Sequence, residues 1–421
     1  MIAYHFPPIQ GSSGLHRTLA FARYLPAWNW SATVLTVSPN AYVNTRAEND
    51  GMIPTGSDVV RAWTFDTVRH LSIRGRYLRL MALPDRWQSW IATGIWNGLR
   101  IIRKQRPSVI YSTFPIASAH AIGLALSRLT RLPWVADFRD PMDQITYPPD
   151  PLVRRSYRWI EQQTFRHAAC ILVTTPGTAR LYAERYPEFS SKVHIIPNGF
   201  DPNLFPLKPD SAQRDSAQRA AGPLVLLHSG LLYPSERNPE PFLRAIARLC
   251  HSGDARYANL RVVFRGSGHE QQFADLVRLL RLQKIVSFPP ALPYHDAVAE
   301  MLGADALLLF QAANCNSQIP AKAYEYLYSG RPVIGITDPD GDTGQLLQRV
   351  GVNCIARLED ENEIAVTLRA AIDDLRSGKM PLPDQANVMR YSREVATGDL
   401  AALLDHLLLA LPCEVSHSES N

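Results

Sequence analysis

The chain has 421 residues, 46% of them hydrophobic, with 44 Lys and Arg against 39 Asp and Glu. That length and composition give two or three cored domains and exclude disordered and collagen-like classes, while a net charge of +5 suits an anionic ligand or a membrane surface without arguing for nucleic acid. Five scattered cysteines (Cys170, Cys250, Cys315, Cys354, Cys413), with no C-x-x-C pair, fit a reducing cytosol better than a disulfide framework or a zinc site.

MIAYHFPPIQG lacks a basic stretch followed by an apolar core, so no signal peptide is expected, and no apolar run is long enough to span a bilayer. The expected location is therefore cytoplasmic. Ile2 to Phe6 reads as the end of a short first strand, and the true start is expected upstream. A turn containing Gly11 and Gly14 follows, then a helix from about Leu15 to Leu25 and a second strand, Ser31 to Val37. Glycines there let the backbone approach a ligand at a helix start, although by themselves they fit a plain turn better.

Between Arg69 and Arg106, basic residues alternate with Leu, Ile, Trp87, Trp90 and Trp96, and the part after Pro84 has helical spacing. Such a helix either packs its Trp stripe into a core or lies on an anionic bilayer and receives a lipid-linked substrate. Four more strand and helix alternations follow. They place His120, Asp137, Arg139 and Asp140 at or after carboxyl ends of strands, the edge where open parallel sheets hold their chemistry. For His120 alone, a satisfied helix histidine is the competing reading.

Prolines and the tandem repeat DSAQRDSAQR mark residues 203–223 as a linker, dividing an N-terminal domain (1–202) from a C-terminal one (224–385). The last stretch, 386–421, is a helix and tail that could return to the first domain. In the second domain LVLLHSG ends at Gly230, LRVVF precedes Arg265-Gly266-Ser267-Gly268, and ALLLF precedes SQIPAKAYEYLYSGRP. The last of these reads as a helix of about three turns between two buried strands, with Pro320 in its first turn and Gly330 as its stop. Its first N–H groups, around Ile319, Ala321 and Lys322, suit a phosphate, and Lys322 and Glu325 share a face. A cation beside phosphates and a carboxylate one turn deeper match a nucleotide and its ribose hydroxyls. Spacing alone equally allows a solvated surface pair.

In order along the chain, YHFPPIQGSSGLHR, TFPIASAH with WVADFRDP, VTTPGTARLYAERYP with VHIIPNGFDPNLF, LLHSGLLYPSERNPEPFLRA and IPAKAYEYLYSGRPVIG resemble the nucleotide-sugar-dependent, retaining glycosyltransferases of the group one type, family four. The resemblance implies an α/β fold of the GT-B kind, two Rossmann-like parallel-sheet domains facing across a cleft. It places the donor, a UDP- or GDP-sugar, on the C-terminal domain and a saccharide or polyprenyl-linked acceptor on the N-terminal one, in surface polysaccharide synthesis with possible membrane contact. It matches Glu325 to the glutamate on the ribose, Arg237 and Lys322 to cations on the diphosphate, Gly11 and Gly14 to a loop closing over the donor, and Gly230, Arg265, Gly266, Ile319 and Ala321 to the donor site. His120 and Arg139 fall at the acceptor end. The family's frequent first glutamate is Ser317 here, its Arg after the Gly230 position is Leu231, and its His-Asp after the fourth strand reads Arg139-Asp140.

Arg237, Lys322 and helix N–H groups can stabilise a leaving diphosphate without a metal, so no cofactor is expected. Asp338-Pro339-Asp340-Gly341-Asp342 contains a D-x-D, but Thr343 and Arg349 stand where a calcium loop needs Gly and Glu, and a polar turn is the expected reading. Two rivals remain: a non-catalytic nucleotide- or sugar-binding protein of the same fold, and a dinucleotide-dependent oxidoreductase, which lacks its G-x-G-x-x-G here.

Overall fold

A computed structural model describes residues 1–10, 13–144, 147–205, 222–257 and 259–410, without the side chains of Ser13 and Ala47. The chain forms two compact units, Met1–Pro197 with the stretch from Arg393 onward, and Asn198–Ser392.

In the first unit β1 (Thr33–Val37) pairs with β2 (Asp58–Ala62), and β3 (Ile110–Thr113), β4 (Trp134–Arg139), β5 (Cys170–Val173) and β6 (Val193–Ile195) pair in that order, all parallel. Ile2 joins the two sets by bridging Leu35 on one side and Ser112 on the other. The expected first strand is therefore reduced to this point. Its chain turns at Pro7 and Pro8, whose nitrogens have no hydrogen with which to extend a ladder. Strand order reverses between Ile2 and β3, which makes the carboxyl end of that gap a topological switch point.

The Trp-containing helix, Ser89–Gln105, divides its aromatic residues between core and solvent. Trp90 is fully buried and Trp96 is 63% exposed. Gly94 lets the helix close onto Ala117–Thr130, because a Cβ there would lie 2.5 Å from Ile122 Cδ1. The final helix, Arg393–Leu409, packs Ala396, Leu400 and Leu404 with Phe21, Leu25 and Tyr111 and so returns to the first unit. Division thus falls at Asn198 and Ser392 instead of residues 203 and 386. The tandem repeat at 210–219 and the tail after Ala410 lie outside the described residues.

The second unit is one six-stranded sheet in the order β12-β11-β10-β7-β8-β9. Its strands are β7 (Leu224–Ser229), β8 (Leu260–Arg265), β9 (Val286–Ser287), β10 (Ala306–Phe310), β11 (Val333–Ile336) and β12 (Ile355–Ala356), every neighbouring pair parallel. Every residue of β10 and β11 is buried, as expected of apolar runs covered on both faces of a parallel sheet. Order reverses between β7 and β10, and the residues after those two strands define this unit's switch point.

Candidate functional site

The residues after β7 and β10 converge. Ser229 ends β7, and the helix Ala321–Tyr328 follows β10 after the connection 311–320. That helix has 8 residues, about two turns rather than three, and Pro320 sits one place earlier than expected, at its cap. Gly330 ends it at φ +68°. From its inner face Lys322 Nζ donates to the Ser229 carbonyl at 2.5 Å, and Tyr326, one turn on, accepts from Ser229 N–H at 2.8 Å through its hydroxyl. Gly230 continues at φ +122°, a conformation that disfavours any side chain, and a Cβ there would collide with Lys322 Nζ. Together these contacts fix the strand end against the helix.

Burial pushes the Lys322 ammonium down to about 7, with Arg237 lowering it further and Glu325 opposing. Near neutral pH this amine holds a proton only part of the time, and a nearby anion would draw one onto it. Arg237 donates from Nη1 to the Leu231 carbonyl at 3.3 Å and lies over the Tyr233 ring at 5.6 Å, while its buried Nε has no partner among the described residues. Glu325 accepts from the Tyr294 hydroxyl at 3.2 Å. Lys322, Arg237, Gly230 and Glu325 are thus brought to one end of one sheet, with Ala321 and part-buried Ile319 at the start of the same helix.

Two other expected donor residues behave differently. Arg265 ends β8, but its guanidinium is engaged by Glu300 at 2.8 and 2.5 Å and by the Pro290 carbonyl, so it braces the connection after β9 and the helix that follows it instead of standing open to a ligand. Gly266, at φ +61°, packs against Ala291 in that connection after β9. Asp338 of the D-x-D caps its own turn, accepting from Asp340 N–H at 3.1 Å and from Asn316 Nδ2 at 2.5 Å. Among the described residues no cluster of three or more His, Cys, Asp or Glu is arranged to hold a metal ion.

In the first unit Arg139 and Gly14 meet, and His120 does not join them. His120 is 0% exposed, with rings of Phe138, Trp134 and Phe114 around it and its Nδ1 hydrogen-bonded to Ser112 Oγ at 2.8 Å. Burial lowers it to about 3, so it is a neutral core histidine rather than an acceptor-side group. The apolar environment outweighs its position after a strand. Asp137 is equally sealed, accepting from Arg17 at 2.8 and 3.2 Å, Tyr111 at 2.5 Å and Thr113 at 3.2 Å. Arg139 ends β4 at φ +62° and is 8% exposed. A Cβ on Gly14 would lie 2.5 Å from Arg139 Nη1 and 2.9 Å from His5 Nδ1. Burial and the Arg139 charge lower His5 to about 4. Gly11 lies outside the described residues. A cavity of about 740 Å³ opens at the amino-terminal edge of this sheet, between Met1, Thr33, Val109 and Leu404, opposite the edge that carries Arg139.

Sequence reading passed over Tyr326, Tyr294, Glu300 and His5. Tyr326 is four residues after Lys322, a spacing that could have shown it on the same face. Glu300 is distant in sequence, and nothing local marked it.

Residues 14–199 match the family described as the glycosyl transferase 4-like domain. Gly14, His120 and Arg139 lie inside that match, and Gly230, Arg237, Lys322 and Glu325 lie beyond it. A D-inositol 3-phosphate glycosyltransferase of Kineococcus radiotolerans is 29% identical over 154 residues, 35% of this chain and 35% of that enzyme. The alignment thus spans about a third of the length of this curated relative. Sucrose-phosphate synthase from Thermosynechococcus elongatus superposes with a TM-score of 0.66 at 15% identity, over 97% of this chain and 99% of that one. Anabaena Alr3699/HepE in complex with UDP does so with a TM-score of 0.64 at 14% identity, over 96% and 98%. These two likenesses bear on the fold of the whole chain, which is α/β of the GT-B kind with two Rossmann-like parallel sheets.

Proposed function

We propose that this protein is a retaining glycosyltransferase that moves a sugar from a UDP- or GDP-sugar to a saccharide or polyprenyl-linked acceptor in surface polysaccharide synthesis. One observation carries the reading: Lys322, Arg237 and the backbone turn at Gly230 gather positive charge at the switch point of the second unit, with Glu325 one helical step away. Breaking the bond between a sugar and a nucleoside diphosphate puts negative charge on the leaving phosphate. A part-buried ammonium, a guanidinium and helix-terminal N–H groups stabilise that charge most where water is scarce. Glu325 then accepts from the ribose hydroxyls. The UDP held by the Anabaena protein of similar fold supports a uridine donor.

Membrane contact has its own support. Ile73 (79% exposed), Leu78 (72%) and Leu80 (73%) stand in solvent within the sequence IRGRYLRL, between Arg74, Arg76 and Arg79. Such an apolar and cationic face suits the surface of an anionic bilayer, where a polyprenyl-linked acceptor resides. No helix among the described residues is long and apolar enough to cross a membrane. The test of function is turnover: labelled UDP- and GDP-hexoses are offered with and without a polyprenyl diphosphate sugar, and released nucleotide and glycosylated lipid are measured. A protein that binds UDP but turns over no donor is the non-catalytic alternative.

A further inference from the structure

Ser229 stands where strand pairing gives way to side chains. On one side it is in register with Arg265 of β8, but β10 pairs with β7 at Leu226 and Leu227 and its register goes no further. The edge beyond is covered by two side chains of the helix Ala321–Tyr328. The Tyr326 hydroxyl accepts from Ser229 N–H at 2.8 Å and lies 3.4 Å from the Ser229 carbonyl oxygen, which takes the Lys322 ammonium at 2.5 Å. One hydroxyl thus faces both polar groups of Ser229, as the backbone of a neighbouring strand would.

This arrangement bears on what Lys322 can do. Its ammonium is held to a backbone carbonyl and lies against Gly230, where a Cβ would be 2.1 Å from Nζ. Turning to a phosphate takes it away from that oxygen, and a part-buried carbonyl left without a donor is destabilising. Tyr326, 1% exposed, answers this. Its hydroxyl can rotate toward the same oxygen, too far at 3.4 Å to bond it well beside the ammonium but near enough to close on it once the ammonium leaves. A phenylalanine would fill the same space in the core and offer Ser229 nothing.

We propose that Tyr326 is a positioning residue for the diphosphate: its hydroxyl takes over the Ser229 carbonyl and so releases the Lys322 ammonium to the ligand. The proposal rests on the nucleotide-binding reading above. The other titratable groups facing Lys322 are Arg237, Glu325 and His228.

Calorimetric titration of the full chain with UDP at about pH 6, where most of the amine is charged, tests this in a double-mutant cycle of Tyr326→Phe and Lys322→Met. Y326F weakens UDP binding about three- to tenfold, the contribution of one hydrogen bond, and the same change made in K322M has no effect. A hydroxyl that only holds the fold together lowers affinity by the same factor in both backgrounds. UDP binding by Y326F equal to that of the unmodified protein, or an equal loss in K322M, overturns the proposal. Should Y326F fail to fold, a crystal structure of the unmodified protein with UDP decides it. Tyr326 Oη then stands within about 3.0 Å of the Ser229 oxygen and Lys322 Nζ on a phosphate oxygen, whereas Lys322 still on Ser229 overturns the proposal. Absence of UDP binding defeats the nucleotide reading instead, and the shared carbonyl is judged without a ligand by NMR of isotope-labelled lysine. The Lys322 amine titrates about half a pH unit or more higher in Y326F than in the unmodified protein, because its ammonium is then the sole donor to that oxygen. An unchanged titration overturns the exchange.

Discussion

Lys322 makes nucleotide binding depend on pH in a direction that can be worked out beforehand. Its ammonium, lowered to about 7 by burial and by Arg237, faces Glu325, the Tyr326 hydroxyl and buried His228, which burial keeps neutral. A bound diphosphate places negative charge beside it and raises its pKa toward the ordinary lysine value. The complex therefore holds more protons than the free protein, and affinity falls as pH rises above about 7. With a free-state value near 7, the amine carries about 0.1 proton at pH 8, so binding UDP there takes up roughly 0.9 proton. Affinity then weakens by up to about tenfold per pH unit between pH 7 and the pKa of the complex. Calorimetry at pH 8 in HEPES and in Tris gives the uptake from the difference in heats, and titrations between pH 7 and 9 give the slope. Lys322→Met abolishes both. A flat profile with no proton uptake in the unmodified protein would refute the placement of Lys322 on the diphosphate.

Glu325→Ala removes a charged acceptor from the ribose and weakens UDP binding roughly 10- to 100-fold. Its far-ultraviolet circular dichroism should be unchanged, because the hydrogen bond that the Glu325 carboxylate accepts from Tyr294 lies at the surface. Asp137→Asn strands the buried Arg17 guanidinium and should cost about 3–5 kcal/mol in urea unfolding, whereas Asp340→Asn, at a side chain 88% exposed, stays within roughly 0.5 kcal/mol. Replacing Ile73, Leu78 and Leu80 together by serine should reduce cosedimentation with phosphatidylglycerol vesicles at least about tenfold while leaving the melting temperature unchanged, since all three are exposed. Equal sedimentation of the two proteins contradicts the membrane face.

What the sequence made legible was local. ALLLF follows closely on Gly303 and VIGI lies between Pro332 and Pro339, and each apolar run became a buried parallel strand. Lys322 and Glu325 were found because three residues on a helix set a shared face, whatever lies beyond it. Long-range pairing was not legible. Arg265 looked available until Glu300, 35 positions away, took its guanidinium, and His120 looked like an edge residue until Phe138 and Trp134 closed over it. The same limit hid the difference between Arg17, clamped on Asp137, and Arg139, whose guanidinium makes one long hydrogen bond to the Phe114 carbonyl among the described residues. Helix length fell short of expectation because Pro320 occupies the cap with an extended backbone, removing a residue the pattern had counted as helical.

The central claim is that the end of the second sheet holds a nucleoside diphosphate, and a thermal-shift panel of nucleotides and nucleotide sugars tests it most directly. A ligand present at about 100 times its dissociation constant adds roughly 2.7 kcal/mol to the stability of the state that binds it. UDP, GDP or one of their sugars is expected to raise the melting temperature of the unmodified protein by several degrees and to leave Glu325→Ala unmoved. A panel in which no nucleoside diphosphate shifts the unmodified protein, or in which Glu325→Ala shifts just as far, contradicts it.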